Sequence, residues 1–224
     1  MLIRHGETAW NAEHRIQGQL DIPLSTNGVW QAGRLAQRLS RVPGEHLIGA
    51  VYASDLARAW LTAQPLAQAL DVPLQSEPRL RERHFGLFQG HTMEDVAARW
   101  PDHFVAWRAR DPAWLIPDGE SGNQLIARSL SALAAIVRAH AGGTAAVVTH
   151  GGVLDAAYRA ARSLSWDAPR EHLMLNAAIN RMQGSMPASD VAGANGAALT
   201  LAIIDWCDDA HLLHDAADAI AASS

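Results

Sequence analysis

The stretch Ala145-Ala146-Val147-Val148-Thr149-His150-Gly151-Gly152 reads as a compact apolar strand that ends on a histidine and is broken by two glycines. Val153–Arg162 then turns to a helical pattern. The same order occurs near the start of the chain, where Leu2-Ile3-Arg4 leads into His5 and Gly6, so Leu2–His5 reads as the end of a short strand. Taken singly, either histidine is explained better by an ordinary buried or surface position. Two matching strand–His–Gly placements make coincidence a poor explanation. In open α/β sheets, ligands gather beyond the carboxyl ends of the strands, which is where both histidines fall.

Outward from these two points the chain alternates short β-like runs with longer amphipathic ones. Thr26–Arg41 has apolar residues near helical spacing, with Ser25 or Asn27 as the cap. Leu47–Ala53 is an apolar run of strand length, and Leu56–Leu70 returns to helix with Pro65 expected to kink or interrupt it. Thr92–Trp100 and Ser121–His140 are further helical stretches, and Leu199–Trp206 closes the series as a strand. This alternation predicts one α/β domain over residues 1–224 with a parallel or mixed sheet covered by helices, taken as a mostly parallel central sheet flanked by helices on both faces. The segment from Gln89 to Glu120 differs, with Trp100, Phe104, Trp107 and Trp114 set among Pro101, Pro112 and Pro117. It reads as a helical insertion, or lid, over about 89–120, whose aromatics are expected chiefly to pack it against the main body. Pro187–Gly196 is rich in Gly, Ala, Ser and Asp and reads as a surface loop between strands.

The 224 residues suffice for one full hydrophobic core, and 49% apolar with 18% charged residues is an ordinary globular balance. A formal net charge of -5 argues against nucleic acid as the main partner. It leaves room for an anionic substrate, since a few arginines in one cleft outweigh the global charge. Cys207 is the only cysteine, so no intramolecular disulfide forms, as in a reducing compartment. The apolar runs around Ala145–Val148 and Ala197–Ile204 are too short to span a bilayer, and no leader pattern is readable. These features point to a cytoplasmic protein with no membrane partner. His211 and His214 read as solvated helix residues, and no convergent ligand set suggests a metal. No Walker-type glycine-rich loop is present.

The chemistry is carried by Leu2-Ile3-Arg4-His5-Gly6-Glu7-Thr8 with Asn11, followed by Gln17-Gly18, Asp21-Ile22-Pro23-Leu24, Gly28 and Gln31-Ala32. Further along come Ser54-Asp55-Leu56 with Arg58 and Thr62-Ala63, and Leu80-Arg81-Glu82 with Phe85-Gly86 and Gln89-Gly90. Gly119-Glu120-Ser121 with Arg128, Val147 to Gly152, and Asn176 complete the series. In this order the blocks resemble the signature of the histidine phosphatase superfamily, also called the phosphoglycerate mutase-like family, from Leu2 to about Ile204. The residue types suit the reaction. Phosphoryl transfer asks for positioning and stabilised negative charge, and arginine binds phosphate through a planar fork.

The resemblance implies that His5 is the nucleophile that becomes phosphorylated, and that His150, cationic or donating, stabilises the transition state. Arg4 and Arg58 would hold the phosphate, with Asn11, Gln17, Gly18, Gly151 and Asn176 around it. Glu82 matches the acid/base position, where a raised pKa would let one carboxyl serve both steps. Without the resemblance, Glu82 reads first as a surface carboxylate paired with Arg81 or Arg83. Glu7 is a rival, more readily read as ordering its loop.

Glu82-Arg83-His84-Phe85-Gly86 looks like the equivalent stretch of cofactor-dependent phosphoglycerate mutases, whose following insertion is longer and more basic. Here Arg99, Arg108 and Arg110 are scattered among tryptophans and acids, with no basic cluster apparent. An aromatic lid suits a phosphatase for esters with an organic body. The expected function is therefore hydrolysis of small organic phosphate esters, with no metal or other cofactor. A mutase-like phosphotransferase, which would need a bisphosphoglycerate primer, is the alternative, and a non-catalytic binding module the third reading. The family includes monomers, dimers and tetramers, so a homodimer is within its range. Ser163–Leu175 carries no family motif.

Overall fold

A computed structural model describes residues 1–41, 47–187 and 199–213. Its centre is a six-stranded sheet of β1 (Leu2–Arg4), β2 (Ile48–Ala53), β3 (Leu74–Ser76), β4 (Thr144–Thr149), β5 (Ile179–Ser185) and β6 (Thr200–Asp208), in the order β3-β2-β4-β1-β5-β6. β1, β2, β3 and β4 run parallel, and β5 and β6 add an antiparallel edge. The helices are α1 (Ala9–Ala12), α2 (Thr26–Arg41), α3 (Ala57–Leu70), α4 (Met93–Arg99), α5 (Pro101–Arg108), α6 (Gly122–Ala139) and α7 (Gly151–Arg162).

Strand alternation divides the core in two. Ile3, Ala146 and Val148 meet Leu35 and Leu39 of α2 and Ala59, Ala63 and Leu66 of α3. Leu2 and Val147 point the other way, onto Leu125, Leu133 and Ile136 of α6 and Val153 and Leu154 of α7. The expected mostly parallel sheet with helices on both faces is what forms. Register then places the histidines: Arg4 pairs with Thr149, and the His5 amide donates to the Thr149 carbonyl at 2.9 Å. His5 and His150 therefore emerge side by side from the same edge.

Several boundaries have local causes. Ser25, not Asn27, caps α2, its Oγ accepting from the Gly28 amide at 3.0 Å. Thr92 and Ser121 open α4 and α6 with reciprocal capping boxes. Pro65 does not interrupt α3, which runs through it to a left-handed cap at Asp71. The carbonyl deprived of its partner belongs to Leu61, on the exposed side of the helix. α7 starts two residues before the expected Val153, so Gly151 and Gly152 form its first turn and do not break the chain. β3 and β5 carry too little apolar alternation to be read from sequence. Residues 188–196 of the expected Pro187–Gly196 loop lie outside the described residues.

The segment 89–120 holds α4 and α5, and its Trp100, Phe104, Trp107 and Trp114 pack around Phe88, Val96 and Ile116 as a small separate core. His211 departs from expectation: it is buried in a short 3₁₀ turn, Ala210–Leu212, packed on α2, with Arg34 Nε donating to its carbonyl at 2.9 Å. His214 lies outside the described residues. Among the described residues, no helix is long and apolar enough to cross a membrane.

Candidate active site

His5 is buried at the end of β1, and its Nδ1 lies 2.7 Å from the Gly6 carbonyl. A carbonyl only accepts, so Nδ1 carries the proton and the Nε2 lone pair is free. Burial, then the nearby Arg58 and Arg4, hold this imidazole well below its usual range, which keeps it neutral. The loop after it is fixed on several sides. Asn176 Nδ2 donates to the His5 carbonyl at 2.9 Å, and the Gly6 amide donates to Thr62 Oγ1 at 2.9 Å. Gly28 lets α2 approach so closely that a Cβ there would stand 2.0 Å from the Glu7 carbonyl oxygen.

His150 is fully buried at the start of α7, its ring centroid 5.1 Å from that of His5. Burial first, then Arg58, His5 and Arg4, push its pKa well below the usual value. Of the two expected states, cationic or donating, this leaves the neutral, donating one. Unfolded histidine takes up a proton as pH falls through about 6.5, and these two do not. Each such proton taken up only by the unfolded chain tilts stability by about 1.4 kcal/mol per pH unit. His172 and His211, also lowered mainly by burial, add to the same slope. Stability is thus full above that pH and is lost below it. Urea midpoints should drop between about pH 7.5 and 5.5, and a flat profile would contradict neutral burial.

The arginines are pinned from behind. Arg58, 1% exposed, donates from Nη1 to the Leu20 carbonyl at 2.8 Å and from Nη2 to the Gly18 carbonyl at 2.7 Å. Gly18 takes a left-handed φ of 56°. Arg4 Nη1 donates to the Met174 carbonyl. The Nε atoms of Arg4 and Arg58, Gln17 Oε1 and both ring nitrogens of His150 are buried with no hydrogen-bond partner among the described residues. Such groups cost about 1–3 kcal/mol each when left unmade, and those of Arg4, Arg58 and His150 lie beside His5.

Glu82 meets the pocket from the third side. Both its carboxylate oxygens accept from the Gly152 amide at 3.1 Å, and Oε1 accepts from the Arg83 amide at 2.7 Å. Arg81 does not pair with it but with Asp55, at 2.6 Å. Arg128, bound to Glu120 at 2.6 Å, also donates to the Arg81 and Glu82 carbonyls and so fixes the Glu82 backbone. Gly152 explains the glycine pair after His150. A Cβ there would lie 2.2 Å from Glu82 Oε1, so only glycine lets the carboxylate rest on the helix N-terminus. Gly152→Ala should displace Glu82 and cost about 10- to 100-fold in kcat/KM with the fold retained. Steady-state kinetics with circular dichroism would check this.

The remaining expected residues divide. Gly151 lines the pocket between Glu82 and Arg4. Asn11 Oδ1 accepts from the Thr8 amide and hydroxyl, both at 3.1 Å, and from Asn176 Nδ2 at 3.4 Å. Asn176 thus positions His5 and Asn11. Glu7 orders its loop, accepting from Ser25 Oγ at 2.8 Å. Sequence reading gave no role to Gly152, Thr62, Gly28 or Arg128, whose contacts cross between distant segments.

A cavity of about 490 Å³ opens from Arg4, Glu82, Gly151 and Gly152 and runs to Trp107, Arg108, Arg110 and Trp114 of the insertion and to Trp166, Arg170 and Met174. Two of the three scattered arginines, Arg108 and Arg110 but not Arg99, therefore do join a basic wall. It is assembled with Arg83 and with the 163–175 segment, which no spacing within the insertion reveals.

The sequence profile of the histidine phosphatase superfamily (branch 1) matches residues 1–191. The chain is 40% identical over 182 residues to phosphoglycerate mutase-like protein 4 of Arabidopsis thaliana, covering 80% of this chain and 76% of that one. It is 44% identical over 160 residues to a metal-independent phosphoserine phosphatase of the same plant, covering 70% of this chain and 66% of that one. Among solved structures, a mycobacterial glucosyl-3-phosphoglycerate phosphatase superposes with a TM-score of 0.76 at 29% identity, over 93% of this chain and 98% of that one. With its histidines paired at the ends of β1 and β4 and its pinned arginines and glutamate, this chain belongs to the histidine phosphatase superfamily.

Proposed function

We propose that the protein is a phosphomonoesterase acting through a phosphohistidine on His5. The observation that carries this is the ring of buried, unpartnered polar groups around a neutral imidazole whose free Nε2 is the nucleophile. A phosphate ester supplies the oxygens that Arg4, Arg58 and His150 lack. His5 Nε2 attacks phosphorus, Nδ1–H is held by the Gly6 carbonyl, and the guanidiniums and His150 stabilise the charge on the transferring group. Glu82 gives a proton to the leaving oxygen, then takes one from the water that cleaves the phosphoramidate and releases inorganic phosphate. The arginines supply the positive charge, so no metal enters. Phosphatase relatives support hydrolysis, while the mutase-like relative marks transfer to a second alcohol as the competing outcome.

The test is para-nitrophenyl phosphate hydrolysis in the presence of a chelator, beside an alkyl phosphate and with Glu82→Gln. Aryl leaving groups depart without a proton and alkoxides do not. The variant should therefore lose about 10²- to 10³-fold on the alkyl ester and under tenfold on the aryl one. Equal losses would remove Glu82 from the acid role, and absence of phosphate release would favour transfer.

A further inference from the structure

Residues 163–178 join α7 to β5 and form no helix or strand. From Arg170 to Asn176 no amide has a backbone partner among the described residues, so side chains must hold this strap. Most of them converge on Asp155 of α7, which is 0% exposed. Arg170 Nη2 donates to its Oδ2 at 2.9 Å, and His172 Nε2 lies 3.1 Å from its Oδ1. Arg159 donates from Nε to the same Oδ1 at 3.0 Å and from Nη1 to the Ser165 carbonyl at 2.6 Å. Arg110 of the insertion approaches to 3.7 Å. Asp167, exposed on the strap, is a second acid acting on Arg110 and Arg159. On the outer side, Tyr158 stacks on His172 with ring centroids 3.8 Å apart, and Trp206 Nε1 donates to the Leu173 carbonyl at 2.8 Å.

The next residues of the strap carry the pocket. The Met174 carbonyl accepts from Arg4 Nη1, and among the described residues it is the one hydrogen-bond acceptor of the Arg4 side chain. Asn176 Nδ2 donates to the His5 carbonyl at 2.9 Å, and the Ala177 amide to the Arg4 carbonyl at 2.9 Å. A long segment without regular structure is uncommon in a compact domain and is usually functional. Asp155 itself lines no part of the cavity, so it reaches the pocket only through what it holds.

We infer that Asp155 is a positioning residue for the phosphate pocket. By gripping Arg170 and His172 it sets the Met174 carbonyl, and that carbonyl aims the Arg4 guanidinium at the phosphate beside His5. The inference rests on the proposed phosphomonoesterase reading for what Arg4 binds. The nucleophile is secured separately, because the His5 amide bonds the Thr149 carbonyl and the Gly6 amide bonds Thr62. Loosening Asp155 therefore acts on anion binding through Arg4. Asp155→Asn keeps the shape of the side chain but removes its charge and turns one acceptor into a donor.

The test is a double-mutant cycle, read by calorimetric binding of orthovanadate, a phosphate mimic, to wild type, Asp155→Asn, Arg4→Gln and the double variant. Asp155→Asn should weaken vanadate binding about tenfold or more when Arg4 is present, and about twofold or less when Arg4 is already Gln. A merely structural role would weaken it alike in both backgrounds, as urea midpoints of the same four proteins should show for stability. Should Asp155→Asn not fold, His172→Gln leaves the three Asp155–arginine pairs in place and enters the same cycle. Its expected losses are about threefold with Arg4 and none without it. For whichever variant is read, equal weakening in both backgrounds, or none in either, overturns the positioning role. Para-nitrophenyl phosphate turnover by wild type reports separately on the phosphatase reading. Turnover with an additive cycle sinks the positioning role alone, and a coupled cycle without turnover sinks that reading alone. A wild type that binds no vanadate overturns both.

Discussion

His5→Ala is expected to lower turnover of para-nitrophenyl phosphate by roughly 10⁴-fold or more, since removing a nucleophile leaves only binding and electrostatic stabilisation. No neighbour can replace it. His150 is 5.1 Å away by ring centroid and tilted by 56°, and no side-chain contact holds one of its nitrogens as the Gly6 carbonyl holds His5 Nδ1. The variant should fold, because the Asn176, Thr62 and Gly28 contacts that shape the loop are made to its backbone. The companion measurement is covalent. Wild-type protein quenched with base after brief exposure to labelled substrate should carry an acid-labile, base-stable phosphate, and His5→Ala should carry none. Turnover above about one hundredth of wild type would remove His5 from the nucleophilic role.

Arg58→Lys should cost about 10²- to 10³-fold in kcat/KM, for two reasons that the structure separates. The first is geometric. Arg58 uses Nη1 and Nη2 to grip the Leu20 and Gly18 carbonyls, and its Nε is left for the pocket. A single ammonium cannot hold those carbonyls and face a phosphate together. The second is electrostatic. Burial above all draws Arg58 down to about 10. A lysine starts roughly two units lower, so the same surroundings carry it into the range where it sheds its charge near neutral pH. The loss should thus be larger at pH 8 than at pH 6, because acid restores the ammonium. A variant with wild-type kinetics at both would exclude Arg58 from phosphate binding.

The local features that carried the sequence reading lie on contiguous residues. Val147-Val148-Thr149 before His150, and Leu2-Ile3-Arg4 before His5, hold strand, strand end and functional group within one short run. Each run also alternates between the two helical layers. Ser25, Thr92 and Ser121 signal helix starts through bonds that close within three residues. Where a strand is short and polar, as in β3, or carries Asn180, Arg181 and Gln183 between two antiparallel partners, as in β5, sheet pairing replaces hydrophobic patterning as the cause and the sequence is silent.

The sequence by itself determined the alternating α/β order, the family resemblance and the set His5, His150, Arg4, Arg58 and Glu82. The tertiary structure decided which atoms of these residues remain available. It fixed the His5 tautomer through Gly6, turned two of the Arg58 nitrogens away onto backbone carbonyls, and seated Glu82 on the Gly152 amide. It also made one basic wall from Arg83, Arg110 and Arg170, and buried His211 against α2. Apart from the His5–Gly6 contact, the reason is common to these. Hydrogen bonding, desolvation and charge balance act over a few ångströms, and only folding brings residues 38 to 177 positions apart, such as Arg58 and Leu20 or Arg34 and His211, within that range.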